Sequence, residues 1–383
     1  MTNPTNNRSG RKAGKHVVVA GCGNIGSFLV LLLVRMAGIA KLTLVDFDCY
    51  EESNLGSQHI IRSDVGKPKA SVLARLARRL NPRLAVIPIV GRLESVPPGR
   101  LRGDVILACL DSKEARRSAN EVAWRLGMPL VDAGVEASAM LARVSVYQPT
   151  ASQPCMECAW DERDYAQLAV MHPCEAAGPS TPSTGAPACL GALAASLQAI
   201  EGRKILGGDI SGAGRQVLIE AATHKHFVTT FRRNLNCRFN HEIWDLSKLQ
   251  AVPSSLSVSD ALKLTGPGRA RLAFAGMQVA RQLACPGCGF TRRILRLESR
   301  VAPRVKTCPR CGRELLVPGF HSLMGLDASE MDRSICGRSL ASLGFREGDI
   351  ITVGGGENKK IFELGPARTA RNARRRSFKR RSS

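Results

Sequence analysis

Residues His16–Ser27 have the sequence HVVVAGCGNIGS, in which an apolar, β-branched run leads into a glycine loop. The run is typical of a buried parallel strand. Gly21, Gly23 and Gly26 follow in G-x-G-x-x-G spacing, which lets backbone N–H groups approach a phosphate at a helix N-terminus. Asn24 belongs to the same loop. The pattern predicts nucleotide binding, and the alternative is a glycine-rich turn without a ligand.

The segments that follow the loop extend this unit. The apolar stretch Ser27–Met36 is long enough for a buried helix and too short to span a bilayer. A second strand is predicted at Lys41–Val45 and ends at Asp46, 20 residues beyond Gly26. An acidic residue at this distance usually accepts hydrogen bonds from ribose hydroxyls. The order of strand, loop, helix, strand and acid therefore predicts a Rossmann-type nucleotide-binding unit.

The chain has 383 residues, enough for two or more domains, and a formal charge of +23. The two ends, Met1–Lys15 and Pro366–Ser383, contain no acidic residue and contribute +12 to the net charge of +23. We expect both ends to be disordered, either as solubilising tails or as salt-sensitive, non-specific contacts for nucleic acid or an acidic protein. Because Met1–Lys15 lacks an apolar signal region, we expect a cytoplasmic protein without a membrane segment.

Three sequence blocks indicate which class of nucleotide-binding protein this chain resembles. Asp46–Gln58 has the sequence DFDCYEESNLGSQ and Asp64–Lys69 has DVGKPK, while Ala108–Ser112 has ACLDS and is followed by Arg116 and Asn120. These blocks resemble the ThiF–MoeB–HesA family, relatives of ubiquitin-activating enzymes. The family patterns are D-x-D-x-V-x-x-S-N-L-x-R-Q, D-x-G-x-x-K and C-x-D-N. The resemblance extends over about residues 17–208.

The resemblance implies ATP-dependent adenylation of the C-terminal glycine of a ubiquitin-like or sulfur-carrier protein. Asp46 would bind the ribose, Asn54 would contact phosphate, and Lys69 would place its charge on the phosphates of ATP. Asp111 would hold Mg²⁺. The carrier carboxylate would attack the α-phosphate and release pyrophosphate, a step that positioning and charge neutralisation can drive. The other nucleotide-site residues predicted within these motifs are Asp48, Ser53 and Ser112.

One position departs from the family pattern. The arginine of S-N-L-x-R-Q is Ser57 here, and a serine cannot replace the forked donors of an arginine. Ser112 also replaces the usual asparagine. Arg62, Arg116 or Arg117 would have to compensate; otherwise the alternative is an adenylation-deficient nucleotide-binding scaffold that binds protein or nucleic acid. A nicotinamide-dependent oxidoreductase is a further alternative, based on the glycine loop alone.

The 13 cysteines, in a chain without a secretory signal, favour metal sites over disulfides. Cys155 and Cys158 form a C-x-x-C pair, which in the family supplies half of a structural zinc site. We expect Cys237 and His241 to complete a Cys₃His tetrahedron around Zn²⁺. In the alternative, Cys237 is a buried thiol and His241 is a surface residue.

A second group of cysteines has the spacing of a zinc ribbon. Cys285, Cys288, Cys308 and Cys311 form two C-x-x-C pairs, each followed by glycine, and predict a closed structural Zn²⁺ site. The loop between the pairs, Thr291–Lys306, is basic. It fits contact with an acidic partner or nucleic acid, or a solvated hairpin.

Cys174, in the sequence HPCEAAG, is the predicted nucleophile. In some members of the family a cysteine at this place forms a thioester or an acyl-disulfide with the adenylated carrier, and persulfide chemistry is the related expectation. His172 would lower its pKa. The alternative is an unreactive loop cysteine, with Cys189 as the reserve candidate.

The order of elements favours an α/β fold: a Rossmann-like, mostly parallel sheet with helices on both faces, plus a C-terminal zinc ribbon and a small β region. The resemblance also suggests a homodimer and a carrier ending in Gly-Gly as partner. We predict a basic flexible N-terminus (1–15), an adenylation domain (16–245), a helical connector (246–283), a zinc ribbon (284–318), a small β-rich region (319–365) and a basic disordered tail (366–383).

Overall fold

A computed structural model describes residues 14–169, 185–266, 271–327, 333–355 and 358–365. The chain divides into two compact units. The first comprises Met1–Glu94 with Leu101–Ile243, and the second comprises Ser95–Arg100 with Trp244–Ser383. The predicted disorder of both ends falls outside the described residues. Within the described ranges, none of the helices combines the length and apolar character needed to cross a membrane.

The first unit is built on an eight-stranded sheet. Its strands are β1 (Lys15–Ala20), β2 (Ile39–Asp46), β3 (Ala85–Val90), β4 (Val105–Ala108), β5 (Leu130–Glu136), β6 (Leu141–Tyr147), β7 (Arg215–Glu220) and β8 (Lys225–Thr230). The order is β3-β2-β1-β4-β5-β6-β7-β8. Strands β1–β5 pair in parallel, and β5–β8 pair antiparallel. The predicted α/β fold with a large, mostly parallel sheet is confirmed.

The burial of β1 and β4 shows that both faces of this sheet are covered. Val17 and Val19 belong to one core cluster, whereas Val18, between them, points to the opposite face and is also fully buried. Ile106 on β4 repeats this pattern. The helices of this unit are α1 (Asn24–Leu33), α2 (Lys69–Leu80), α3 (Lys113–Arg125), α4 (Glu162–Ala169) and α5 (Ala188–Leu206).

The second unit contains a five-stranded and a three-stranded sheet. Its strands are β9 (Leu246–Lys248), β10 (Arg271–Ala273), β11 (Val279–Ala284), β12 (Thr291–Leu297), β13 (Ser322–Leu323), β14 (Gly325–Asp327), β15 (Ile350–Val353) and β16 (Lys360–Glu363). The strand orders are β14-β10-β15-β16-β9 and β12-β11-β13. The C-terminal end of the region 319–365 contains the antiparallel pair β15–β16. The helices are α6 (Val258–Leu262), α7 (Pro303–Lys306) and α8 (Arg333–Cys336).

The prediction of a helical connector at 246–283 is wrong. The described part of this segment contains one five-residue α-helix, α6, followed by the 3₁₀ turn Lys263–Thr265, and it supplies β9, β10 and most of β11. Its apolar residues, such as Leu256 and Phe274, pack into one core with Ile351 of β15 rather than along a helix face. Strand β9 pairs with β16, far along the chain, so no local periodicity could reveal it.

Candidate functional site

The carboxyl ends of β1, β2 and β4 meet at one edge of the sheet. The Gly21 N–H donates to Val45 O at 2.8 Å, and the Cys109 N–H donates to Ala20 O at 2.7 Å. The glycine loop therefore lies between the residues that follow β2 and those that follow β4. This edge of an open α/β sheet is where ligands bind.

The three glycines of the loop serve different purposes. Gly21 has φ +95°, and a Cβ there would lie 2.4 Å from Cys109 O. A Cβ on Gly26 would lie 2.1 Å from Gly21 O, so close backbone packing requires both residues. At Gly23, which precedes α1, the nearest atom to an added Cβ is Gln58 Nε2 at 4.0 Å. Of the three glycines, Gly23 is the one that close packing does not require, which leaves its position at the helix N-terminus for the approach of a phosphate.

Asp46 is fixed beside this loop by two backbone donors. Its Oδ2 accepts from the Cys22 N–H at 2.6 Å, and its Oδ1 accepts from the Asp48 N–H at 2.8 Å. Burial raises the pKa of the Asp46 carboxyl. Each carboxylate oxygen has a further lone pair with which to accept a hydrogen bond from a ribose hydroxyl. The position and geometry of Asp46 agree with the predicted ribose contact.

Lys69 is the first residue of α2 and is only 9% exposed. Its Nζ lies 3.2 Å from Asp48 Oδ2 and 6.0 Å from the centroid of the Tyr50 ring. The Tyr50 hydroxyl in turn donates to Cys22 O in the glycine loop at 3.1 Å. Lys69 is therefore not an exposed helix lysine, because its ammonium group is held in a network that reaches the glycine loop.

Ser53 and Asn54 lie in a short 3₁₀ turn, Glu52–Asn54. Asn54 is buried, and its Oδ1 accepts from the Glu51 N–H at 3.0 Å, so this oxygen caps the turn. Its Nδ2 lies 3.5 Å from Ser53 Oγ. The amide N–H groups of Asn54 are thus the part of the side chain suited to a phosphate, while Ser53 is exposed.

Asn24 holds this segment against α1. Its Nδ2 donates to Ser57 O at 2.7 Å and to Ala186 O at 3.1 Å. Its Oδ1 is buried and accepts no hydrogen bond from any residue that the structure describes. A Cβ on Gly191 of α5 would lie 2.0 Å from that oxygen. Asn24 thus has a positioning role, and no sequence pattern indicated the close approach of Gly191.

Asp111 and Ser112 follow β4 and behave differently. The Ser112 hydroxyl caps α3, because its Oγ accepts from the Ala115 N–H at 3.2 Å. Asp111 is exposed, and its carboxylate forms no ion pair within the described ranges. An exposed, unpaired carboxylate suits Mg²⁺, which takes one or two carboxylates together with phosphate oxygens.

The four ligands predicted for the first metal site lie together. Cys155 Sγ is 3.8 Å from Cys158 Sγ and 3.8 Å from Cys237 Sγ, and Cys158 Sγ is 3.3 Å from His241 Nε2. A tetrahedral Zn²⁺ with Zn–S of about 2.3 Å places thiolates about 3.8 Å apart. Trp124 of α3 donates its Nε1–H to His241 O at 2.7 Å and so positions a ligand, a role that the sequence did not indicate.

The four cysteines of the second unit also converge. Cys285 Sγ is 3.3 Å from Cys311 Sγ, and Cys288 Sγ is 3.6 Å from Cys308 Sγ. All ligand atoms in each of the two clusters lie within 4.8 Å of one another. Each C-x-x-C pair of this second cluster is followed by a glycine in the left-handed region, Gly289 (φ +69°) and Gly312 (φ +72°).

Comparison with known proteins establishes the family. Residues 11–241 match the family model described as ThiF family. The chain belongs to the ThiF family. It is similar to the sulfur carrier protein ThiS adenylyltransferase of Escherichia coli strain K12, with 28% identity over 224 residues, 58% of this chain and 84% of that protein.

Two other relatives of this ThiF-family chain agree. The molybdopterin-synthase adenylyltransferase of Escherichia coli strain K12 is 30% identical over 226 residues, which cover 58% of this chain and 85% of the relative. The SAMP-activating enzyme E1 of Haloferax volcanii is 29% identical over 232 residues, 60% of this chain and 81% of the relative. The predicted family is confirmed, and with it the class of ATP-dependent adenylyltransferases.

The structure constrains how the ThiF-family protein manages without the arginine replaced by Ser57. Arg62 is exposed and pairs with an exposed glutamate at 3.2 Å. Arg116 Nη1 lies 2.5 Å from Oδ2 of Asp132, which is fully buried. Arg117 is exposed. Arg116 is therefore held in a buried ion pair. Of the three arginines that could replace the missing family arginine, Arg62 and Arg117 have side chains that face solvent.

The cysteines outside the two clusters differ in burial where the structure describes them. The predicted nucleophile Cys174 and its neighbour His172 lie outside the described residues. Burial raises the pKa of the Cys22 and Cys109 thiols, which therefore stay protonated. Cys189, the reserve candidate, is exposed at the start of α5.

Proposed function

We propose that the first unit transfers AMP from ATP to the C-terminal carboxylate of a ubiquitin-like or sulfur-carrier protein. The observation that carries this proposal is the network around the glycine loop. Asp46 accepts from the Cys22 N–H, Tyr50 donates to Cys22 O, and Lys69 lies beside Asp48 and the Tyr50 ring. Asp46, the proposed ribose ligand at the end of β2, and Lys69, the proposed phosphate ligand at the start of α2, thereby belong to one network around the glycine loop. The names of the relatives, which concern ThiS, molybdopterin synthase and SAMP, support a carrier as the second substrate.

The chemistry needs few side chains. The α1 N-terminus at Gly23 would receive phosphate oxygens, and Lys69 would offset their charge. Mg²⁺ would be held by Asp111 and by phosphate oxygens, and would neutralise charge on the phosphates. A carrier carboxylate oxygen would form a bond to the α-phosphorus of ATP, the bond to the β-phosphate oxygen would break, and pyrophosphate would leave. The residues of the site bind and orient the reactants, which is the main requirement of such a step.

We also propose that both cysteine clusters bind Zn²⁺ in a structural role. Three thiols with one imidazole, and four thiols, are closed donor sets for tetrahedral zinc, and the observed separations suit them. Neither set leaves a position for a substrate. A zinc ribbon around Cys285–Cys311 is part of this proposal.

Several finer features belong to the same proposal. The carrier would end in Gly-Gly, the protein would act as a homodimer, and a thioester or persulfide step would use Cys174. The second candidate function is an adenylation-deficient nucleotide-binding scaffold. Ser57 favours it, because Arg116, one replacement for the missing arginine, is held by buried Asp132.

Carrier-dependent exchange of labelled pyrophosphate into ATP tests the proposal. We expect exchange only when a carrier ending in Gly-Gly is present, and we expect Lys69→Ala and Asp111→Ala to abolish it. Lys67→Ala is the matched control, because Lys67 is an exposed lysine two residues before Lys69. Exchange that persists in Lys69→Ala would refute the assignment of the site, and ATP binding without exchange across a panel of carriers would favour the scaffold.

A further inference from the structure

A groove of roughly 390 Å³ runs along β12 in the second unit. Its lining includes the four consecutive residues Arg293–Arg296 of that strand. The register of β12 with its partner strand β11 shifts between Arg293 and Arg296, so a β-bulge interrupts the alternation of side chains there and the groove touches consecutive residues of the strand. The rest of the lining is Val301, Val305, Arg338 and Ser342.

The edge that faces this groove is free of a strand partner. In the three-stranded sheet the order is β12-β11-β13, which makes β12 an edge strand. Its pairing is antiparallel to β11, with Gln282 opposite Arg293 and Ala280 opposite Arg296. In the part of the chain that the structure describes, the backbone of Thr291–Leu297 forms no other backbone hydrogen bond. The outward N–H and C=O groups can therefore receive a further strand.

The basic loop noted in the sequence separates into two groups of residues. Arg300 is buried in an ion pair with Asp349, donates to Gly344 O, and so stabilises the fold. Arg292 donates to Val305 O, and Lys306 lies 3.9 Å from Glu314. These three basic residues have internal partners.

Arg293 and Arg296 are the exposed members that line the groove. Neither forms an ion pair with any residue in the described ranges. Arg338 adds a third guanidinium, whose Nε donates to Ser342 Oγ at 3.3 Å. Among the residues that the structure describes, the groove lining holds three guanidinium groups and no carboxylate. Guanidinium groups favour carboxylates as bidentate partners.

The remaining lining favours a peptide over nucleic acid. Ile294, Leu295, Val301 and Val305 are aliphatic, and none of the described lining residues is aromatic. Proteins that bind single-stranded nucleic acid usually stack its bases on aromatic side chains. An added strand instead gains affinity from backbone hydrogen bonds and specificity from pockets for alternate side chains.

We propose that the second unit binds an extended peptide with alternating acidic and apolar side chains. The peptide would pair with the free edge of β12, its carboxylates would meet Arg293, Arg296 and Arg338, and its apolar side chains would contact the aliphatic lining. Because of the bulge, Arg293–Arg296 lie opposite three residues of β11 and span about 10 Å of this edge, at about 3.3 Å per residue. The site is separate from the proposed adenylation chemistry and does not depend on it.

Fluorescence anisotropy with the full chain and a labelled peptide of alternating Glu and Val tests this proposal. We expect saturable binding that weakens at least about tenfold in Arg293→Glu/Arg296→Glu. The control Arg281→Glu/Arg304→Glu makes the same change in charge at two exposed arginines outside the groove lining. We expect it to weaken binding less than about threefold. If the first variant does not fold, Arg293→Gln/Arg296→Gln replaces it.

Two comparisons decide the mode of binding. A peptide N-methylated at alternate backbone amides should lose binding, because those amides could no longer pair with β12. Single-stranded RNA of matched charge should compete less well than the unlabelled peptide. The proposal is overturned by absence of saturable peptide binding, by equal losses in the groove and control variants, by unchanged binding of the N-methylated peptide, or by stronger competition from RNA.

Discussion

Replacing Arg116 by alanine tests whether this arginine stabilises the fold or instead contacts the substrate in place of the family arginine that is Ser57 here. Its Nη1 lies 2.5 Å from Asp132 Oδ2, and the two side chains are 13% and 0% exposed. Removing one partner of a buried pair costs about 3–5 kcal/mol, because a buried charge loses its compensation. Arg143 Nη1 remains 3.1 Å from the same oxygen, so we expect a loss near the lower end, about 3 kcal/mol.

Urea unfolding followed by tryptophan fluorescence measures this loss. The matched control is Arg117→Ala, because Arg117 is the exposed neighbour on the same helix, and we expect a change within about 0.5 kcal/mol. Pyrophosphate exchange by the folded fraction of Arg116→Ala should stay close to that of the wild type. An Arg116→Ala variant of unchanged stability that has lost exchange would show that the arginine acts on the substrate.

Three further predictions follow from the site and its surroundings. Gly23→Ala should fold normally yet weaken ATP binding, measured by calorimetry, whereas Gly26→Ala should lower the unfolding midpoint, since its Cβ would lie 2.1 Å from a backbone oxygen. Equal losses of stability and of ATP affinity in the two variants would contradict this distinction. Native mass spectrometry should find two zinc ions per chain and one zinc ion in each of the variants Cys155→Ser and Cys285→Ser, and removal of zinc by a chelator should lower the stability of the protein. A metal-free native protein of full stability would refute both sites. The free energy of unfolding should fall as pH decreases from 6.5 toward about 4, because burial lowers the pKa of His16 to about 4 and the unfolded chain therefore binds the proton first. His16→Gln should make the free energy of unfolding less dependent on pH in this range, and an unchanged dependence would contradict the assignment.

The first strand-loop-helix-strand unit was predictable from the sequence because its signals are contiguous. Gly21, Gly26 and Asp46 lie within one strand-loop-helix-strand unit, where spacing along the chain fixes distance in space. The two cysteine clusters were also predictable, since each C-x-x-C pair is a local signal for half of a metal site. The structure places every predicted ligand of both clusters together.

The contacts that the sequence could not reveal join residues far apart in the chain. Gln198 of α5 donates from its Nε2 to Ala108 O and Val131 O at 2.9 and 2.8 Å, which ties α5 to the strands that carry the site. No local pattern distinguishes this glutamine from a surface residue. The pairing of β9 with β16 was missed for the same reason, and Leu246–Leu283 was wrongly expected to be helical.

The central claim is that this ThiF-family chain adenylates a carrier although Ser57 replaces the family arginine. The most direct measurement is the intact mass of candidate carriers after incubation with the protein, ATP and Mg²⁺. We predict that a carrier ending in Gly-Gly gains the mass of AMP, that its counterpart lacking the last two glycines does not, and that Lys69→Ala forms no adduct while Lys67→Ala does. No adduct on any carrier, from a protein that binds ATP, would contradict the account.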